Sequence, residues 1–171
     1  MSEDREDLLA KLDSQRAALL AELRGLSDKE AARPPAPGNW SAKQQLSHLA
    51  RAERLYLACV RRVCDEEEPD LGVHWAEHQE EHPATANARP LEGLLADMES
   101  ARQQTRQMVA ALGDAEFGRV GRHTPFGDLT IGQLLRSLYR HDRMHADQVA
   151  GREPAYQPKF VNPPLDQRRP Q

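Results

Sequence analysis

LTIGQLLRSLYRHDRMHADQV, residues 129–149, organises the whole chain. Thr130 followed three residues later by Gln133 is a capping box, in which each side chain satisfies a free backbone donor of the first helical turn. Leu129 before the cap and Leu134 after it can close a hydrophobic staple. From there Leu134, Leu138, His141, His145 and Val149 recur at spacings of three and four, so they form one stripe of one helix. Two imidazoles therefore occupy positions where a helix normally presents leucine to a core. They are one turn apart and can aim at a common point, which is the geometry of a two-histidine metal clamp.

Three further helices can be read around this one. Leu9, Leu12, Leu19, Leu23 and Leu26 make a near-heptad seam that predicts helix one over about residues 4–24, and Gly25 is placed to end that helix. The segment LSDKEAARPPAPGNW, residues 26–40, is too rich in proline and glycine for a continuous helix and reads as a loop. Ser41 with Gln44 is a second capping box and starts helix two, residues 42–64, whose buried stripe is Leu49, Ala52, Tyr56, Cys59, Val60 and Val63. His48 lies one turn before Ala52, on the edge of that stripe. Residues 65–90 break the pattern: Asp65 to Asp70 is acidic, residues 74–82 can form a short helix, and 84–90 reads as loop. Helix three covers 91–112, with Leu91, Leu94, Leu95, Met98, Thr105, Met108 and Leu112 on one side and Gly113 as its stop. Residues 114–128 read as a turn-forming stretch anchored by Phe117 and Phe126. Gly151 stops helix four, and the proline-rich remainder reads as an extended tail. The expected class is all-α: a four-helix domain over residues 1–150 with a tail over 151–171.

The histidines and the long connection make the same demand on topology. Helices of about 20 residues are about 30 Å long. His48 lies near the start of helix two and His145 near the end of helix four, and in an up-down-up-down bundle those ends are opposite. In an up-down-down-up bundle they coincide. That order needs a crossover between helices two and three running the length of the bundle. Residues 65–90 exceed an ordinary helix-to-helix connection and are long enough to serve.

Composition narrows the function. The formal charge of −4 gives no reason to expect nucleic acid as partner. No apolar run approaches the roughly 20 residues that span a bilayer, so no membrane partner is expected. The charged N-terminus MSEDREDLLAKL lacks the apolar core of a signal peptide, and the chain is read as cytoplasmic. Cys59 and Cys64 lie too far apart on one helix for a disulfide, which suits a reducing compartment.

His48, His141 and His145 are the candidate metal ligands. Three neutral imidazoles suit a divalent transition ion such as Zn²⁺, Ni²⁺ or Fe²⁺, and three protein ligands leave a position open for water, a thiolate or a carbonyl. Asp142 points about 100° away from His141 and is read as orienting a group on a neighbouring helix or an imidazole behind the site. Glu53 is a second candidate for that supporting role. Arg51, Arg140 and Arg143 lie near the ligands in sequence and can hold an anionic substrate or cofactor, against the plainer reading of solvated helix faces. His74, His78 and His82 would share a helical face; their acidic, polar surroundings favour a solvated crossover, with a supporting or lid role as the alternative. His123 is read as a loop residue. The competing reading of the main cluster is a set of hydrogen-bonded core histidines without metal.

Two segments resemble the DinB-like/YfiT family of bacterial metal-binding bundles. NWSAKQQLSHLARAE, residues 39–53, is similar to the family's Trp-Ser start of helix two, with its histidine, Leu-Ala and a later Glu. TPFGDLTIGQLLRSLYRHDRMH, residues 124–145, is similar to its aromatic-Gly turn, Thr cap and paired-histidine helix. The resemblance covers residues 4–150. It implies an up-down-down-up bundle, His48, His141 and His145 as ligands, and a homodimer. Activities within the family include thiol-dependent transfer using mycothiol or bacillithiol and isomerisation of maleylpyruvate. The expected function is thus that of a divalent-metal-binding protein acting on a small molecule or a low-molecular-weight thiol, as a small-thiol S-transferase or a hydrolase. The alternative is a noncatalytic metal- or ligand-binding protein of a stress response.

Overall fold

The computed structural model of the protein describes residues 3–72, 83–123 and 126–157. Four long helices pack as a bundle: α1 (Glu3–Glu22), α3 (Ala42–Asp65), α4 (Leu91–Ala111) and α5 (Ile131–Val149). A short helix α2 (Asp28–Ala31) lies between the first two, and 3₁₀ turns cover Pro83–Ala88 and Glu116–Gly118. The class is all-α apart from one hairpin. Strands β1 (Val120–His123) and β2 (Gly127–Thr130) pair antiparallel, with Val120 opposite Thr130 and His123 opposite Gly127. The turn-forming stretch before the last helix is therefore a small β-ribbon. The expected helix over 74–82, with His74, His78 and His82, lies outside the described residues, as does the tail beyond residue 157.

Both capping boxes form. The Ser41 hydroxyl accepts from the Gln44 amide and the Gln44 side chain accepts from Ser41 N–H; Thr130 and Gln133 repeat the arrangement. A third box, Ser27 with Glu30, starts α2 inside the stretch expected to be loop. Four residues were too few to show a helical period there, but Ser-x-x-Glu is the same signature. Asp28 of this short helix also accepts from Leu91 N–H at 2.7 Å. It thereby caps α4, whose own N-cap, Pro90, has no side-chain hydrogen bond to offer.

The seam of α1 runs through Leu8, Leu12, Leu19 and Leu23; Leu8 takes the position expected for Leu9, which is only partly buried. Two apolar clusters fill the bundle. One gathers Leu8, Leu12, Leu57, Val60, Val109, Leu134 and Leu138, and the other Leu19, Leu23, Leu46, Leu49, Leu94, Met98 and Ala146. Between them lies a polar layer with one charged residue from each long helix. Arg16, Glu53, Arg102 and Asp142 are 5, 2, 0 and 1% exposed. Arg16 donates to Glu53 at 2.6 Å and to Asp142 at 3.0 Å; Arg102 donates to both carboxylates at 2.8 Å. Thr105 adds a hydroxyl to Glu53 at 2.6 Å, and the carbonyls of Leu12 and Met98 accept from Arg102 and Arg16 respectively. Two cations and two anions satisfy one another, which is the condition for burying charge at all.

The hairpin lies close against the first cluster. A Cβ on Gly121 would stand 2.7 Å from Leu71 Cδ1 and 2.8 Å from Val63 Cγ2, both buried side chains. Gly121→Ala is therefore expected to destabilise the fold by about 1–3 kcal/mol through overpacking. Urea unfolding would check it, with Gly118→Ala as control, because nothing lies within 4 Å of a Cβ there.

Candidate metal centre

α3 and α5 bring His48, His141 and His145 together. His48 Nε2 is 3.1 Å from His141 Nε2, which is 2.9 Å from His145 Nε2. One ring nitrogen from each residue lies within 4.8 Å of the other two, and among the described residues this is the group that could hold a metal ion. A tetrahedral ion with metal–nitrogen bonds of about 2.0–2.1 Å sets its ligand nitrogens about 3.3 Å apart, so small adjustments of the rings would accommodate one. Donor chemistry agrees. Burial pushes the His48 imidazole down to about 4, with Arg51 adding to the effect. Burial also pushes His141 and His145 well below the ordinary histidine value, and the neighbouring rings reinforce it. All three are neutral near pH 7, the state in which imidazole binds metal.

The approach to the cluster is asymmetric. His145 is buried, whereas His48 and His141 are half-buried. Trp40, just before the Ser41 cap, sets its ring edge-on to His48 with centroids 5.1 Å apart. Behind His145, Gln45 from the first turns of α3 meets Nδ1 through its side-chain oxygen. An amide oxygen there requires Nδ1 to carry the proton and leaves the Nε2 lone pair facing the other two rings. Gln45 is a residue that the sequence reading missed. Its signal was position: it precedes His48 by three residues, so the two share a face of α3. Gln45→Leu is expected to weaken zinc affinity by about 10–100-fold while leaving the bundle folded. Competition with a chromophoric chelator would measure the loss, and Gln45→Glu, which restores an acceptor, should recover most of it.

The supporting residues have other roles than a direct bond to imidazole. Asp142 does orient groups on neighbouring helices, namely Arg16 of α1 and Arg102 of α4. Burial pushes its carboxyl up, and the two guanidinium groups oppose that push. Glu53 serves the same layer. Burial would raise it, but Arg102 and Arg16 together hold it below the ordinary carboxylate value. Arg16 and Arg102 were not foreseen, although each interrupts an apolar stripe. Arg16 falls between Leu12 and Leu19, and Arg102 between Met98 and Thr105.

Arg51, Arg140 and Arg143 are exposed. His123 is buried beside Phe126, with ring centroids 4.7 Å apart, and is no part of the cluster; burial pushes it down to about 4. Both cysteines are free, and burial pushes the Cys59 thiol up to about 11 and Cys64 upward as well, which disfavours a reactive thiolate. No described helix is long and apolar enough to cross a membrane.

Several known proteins are similar to this chain in sequence or in fold. YuaE of Bacillus subtilis, an uncharacterised protein, is 25% identical over 143 residues, covering 75% of this chain and 86% of its own. YfiT from Bacillus subtilis, described as a probable metal-dependent hydrolase with an unusual four-helix bundle topology, superposes with a TM-score of 0.71 at 18% identity, covering 88% of this chain and 87% of its own. TT2238, a four-helix bundle protein, gives a TM-score of 0.63 at 24% identity, covering 86% and 98%. A protein from Streptococcus pneumoniae gives 0.65 at 11%, covering 88% and 91%. The DinB superfamily profile matches residues 11–149, which hold all four long helices but the first turns of α1. This chain, with its three-histidine cluster suited to metal binding, belongs to the DinB superfamily.

Proposed function

We propose that the protein is a metal-dependent enzyme in which His48, His141 and His145 hold one divalent transition ion, Zn²⁺, Ni²⁺ or Fe²⁺. The observation that carries the reading is the convergence of three neutral Nε2 atoms at 2.9 and 3.1 Å separations. When bound, such an ion supplies Lewis acidity toward a water, a thiol or a carbonyl oxygen. The protein's own part is to fix the ligands. Gln45 holds the His145 tautomer, Trp40 walls one side of His48, and the half-buried faces of His48 and His141 leave a side for a small substrate. The reaction is hydrolysis or transfer to a low-molecular-weight thiol; the description of YfiT as a probable metal-dependent hydrolase supports the first.

The up-down-down-up order with a full-length crossover belongs to this reading. Lys43 at the start of α3 reaches the Arg89 carbonyl before α4, while Glu53 further along meets Arg102 and Thr105. These pairs support parallel α3 and α4. Gln45 and His48 meet His145 and His141 in reverse order, which supports antiparallel α3 and α5. The domain accordingly ends near residue 150, with the tail appended to it. Free cysteines support a reducing, cytoplasmic location, and the family resemblance supports a homodimer, which sedimentation would test.

Elemental analysis of untagged protein is the direct test, beside His48→Ala, His141→Ala and His145→Ala. One ion per chain, lost in each variant, is the expected result. Zinc-, nickel- and iron-loaded protein would then be screened for hydrolysis and thiol transfer, with His141→Ala as the blank. Absence of stoichiometric metal after loading with each ion would overturn the reading.

A further inference from the structure

Where α1 and α5 meet, a hollow of about 330 Å³ is lined by Lys11, Gln15, Tyr139, Arg140, Arg143 and Tyr156. None of the three histidines lines it. Its charged groups are all cationic. Lys11 is paired to Asp7 at 2.6 Å, but Arg140 and Arg143 have no carboxylate partner among the described residues. The acid one turn beyond Arg143 is engaged elsewhere: Asp147 accepts from Arg152 and from the Ala155 amide. Arg140 is also held in place. Its guanidinium carbon stands 5.9 Å from the ring centroids of both Tyr139 and Tyr156. Cation–π contacts of that kind restrict a side chain without neutralising it.

We propose that this hollow binds a small organic oxyanion, a phosphate monoester or a carboxylate, through Arg140 and Arg143, with Tyr139 and Tyr156 beside its carbon body. The two arginines are three residues apart on α5, so they are neighbours on one side of the helix. Their mutual repulsion is relieved by an anion between them, and a guanidinium fork matches either oxyanion with two parallel donors. Size favours a small molecule, since a volume of about 330 Å³ is at the lower end of ordinary ligand pockets. Charge does too: a net charge of −4 disfavours a polyanion as the ligand. The inference does not depend on metal at the histidines.

Isothermal titration of the full chain with phenyl phosphate and with benzoate separates the two oxyanions. At least one should bind saturably at one site per chain. Combining Arg140→Gln with Arg143→Gln should weaken it by about tenfold or more, whereas Arg61→Gln, at an exposed arginine on α3, should leave it unchanged. Binding should also survive in His141→Ala, which excludes an anion taken up at the metal centre. No saturable binding of either probe, equal affinity in the double variant, or loss in His141→Ala would overturn the assignment. So would a preference for heparin over both probes that the double variant abolishes.

Discussion

Arg102→Met is expected to lower the stability of the protein by about 3–5 kcal/mol, the range for removing one partner from a buried charge network. Arg102 is wholly buried and bonds Glu53, Asp142 and the Leu12 carbonyl. Methionine has similar volume and leaves little cavity. The loss is therefore electrostatic: two carboxylates are left to share Arg16, in a place water does not reach. The pH dependence should change with it. Glu53 has a folded-state value held below the ordinary one, so its contribution is complete above the unfolded value, about 4.3, and is lost as pH falls through the folded value. Without Arg102 the folded value rises, Glu53 takes up its proton sooner, and the midpoint of acid unfolding moves to higher pH. Urea unfolding at pH 7 and an acid titration followed by circular dichroism would measure both. Replacing all four charged residues with apolar ones of similar volume should cost far less than Arg102→Met alone, and an equal cost would show that packing, not charge, governs the layer.

Zinc added to metal-free protein is expected to raise the melting temperature by about 8–16 °C at a free concentration 1,000 times Kd. The linkage is simple: an ion bound only by the folded state stabilises it by about 4 kcal/mol at that excess. A chain of this size gains about 2–4 °C per kcal/mol. The increment should vanish in His141→Ala, whose nitrogen lies between the other two. Metal-free His141→Ala itself should melt near the metal-free wild type, because it loses an imidazole that has given up hydration and crowds two others. A chelator should reverse the shift in the wild type. A metal-independent melting temperature would remove the histidines from metal binding and leave them as a polar core patch.

Much of this was legible because the informative residues break a periodic pattern. His141 and His145 stand at leucine positions of α5, and His48 at the edge of the α3 stripe; the structure brings all three together. Ser41 and Thr130 announced their helices because a cap with its reciprocal glutamine is a local arrangement that needs no tertiary information. The hairpin was not legible, since β1 and β2 are four residues each and the alternate positions that β1 buries are Gly121 and His123 rather than aliphatic residues. Arg16 and Arg102 were passed over for a different reason. A lone arginine on an apolar stripe is ordinarily a side chain that extends to solvent. Only the coincidence of four charged residues at one level, a long-range fact, turns two such interruptions into a bonded layer.

That layer has a consequence for alignment. Leucines are nearly interchangeable partners, and an all-leucine bundle tolerates a helix sliding by one turn, about 5.4 Å. Here the same slide would carry a guanidinium or a carboxylate into one apolar cluster and strand its partners in the layer. Each helix is thus indexed against the other three along the bundle axis. Asp142 follows His141 directly, and Glu53 lies five residues beyond His48, so the index that fixes the helices also sets the height at which the imidazoles meet.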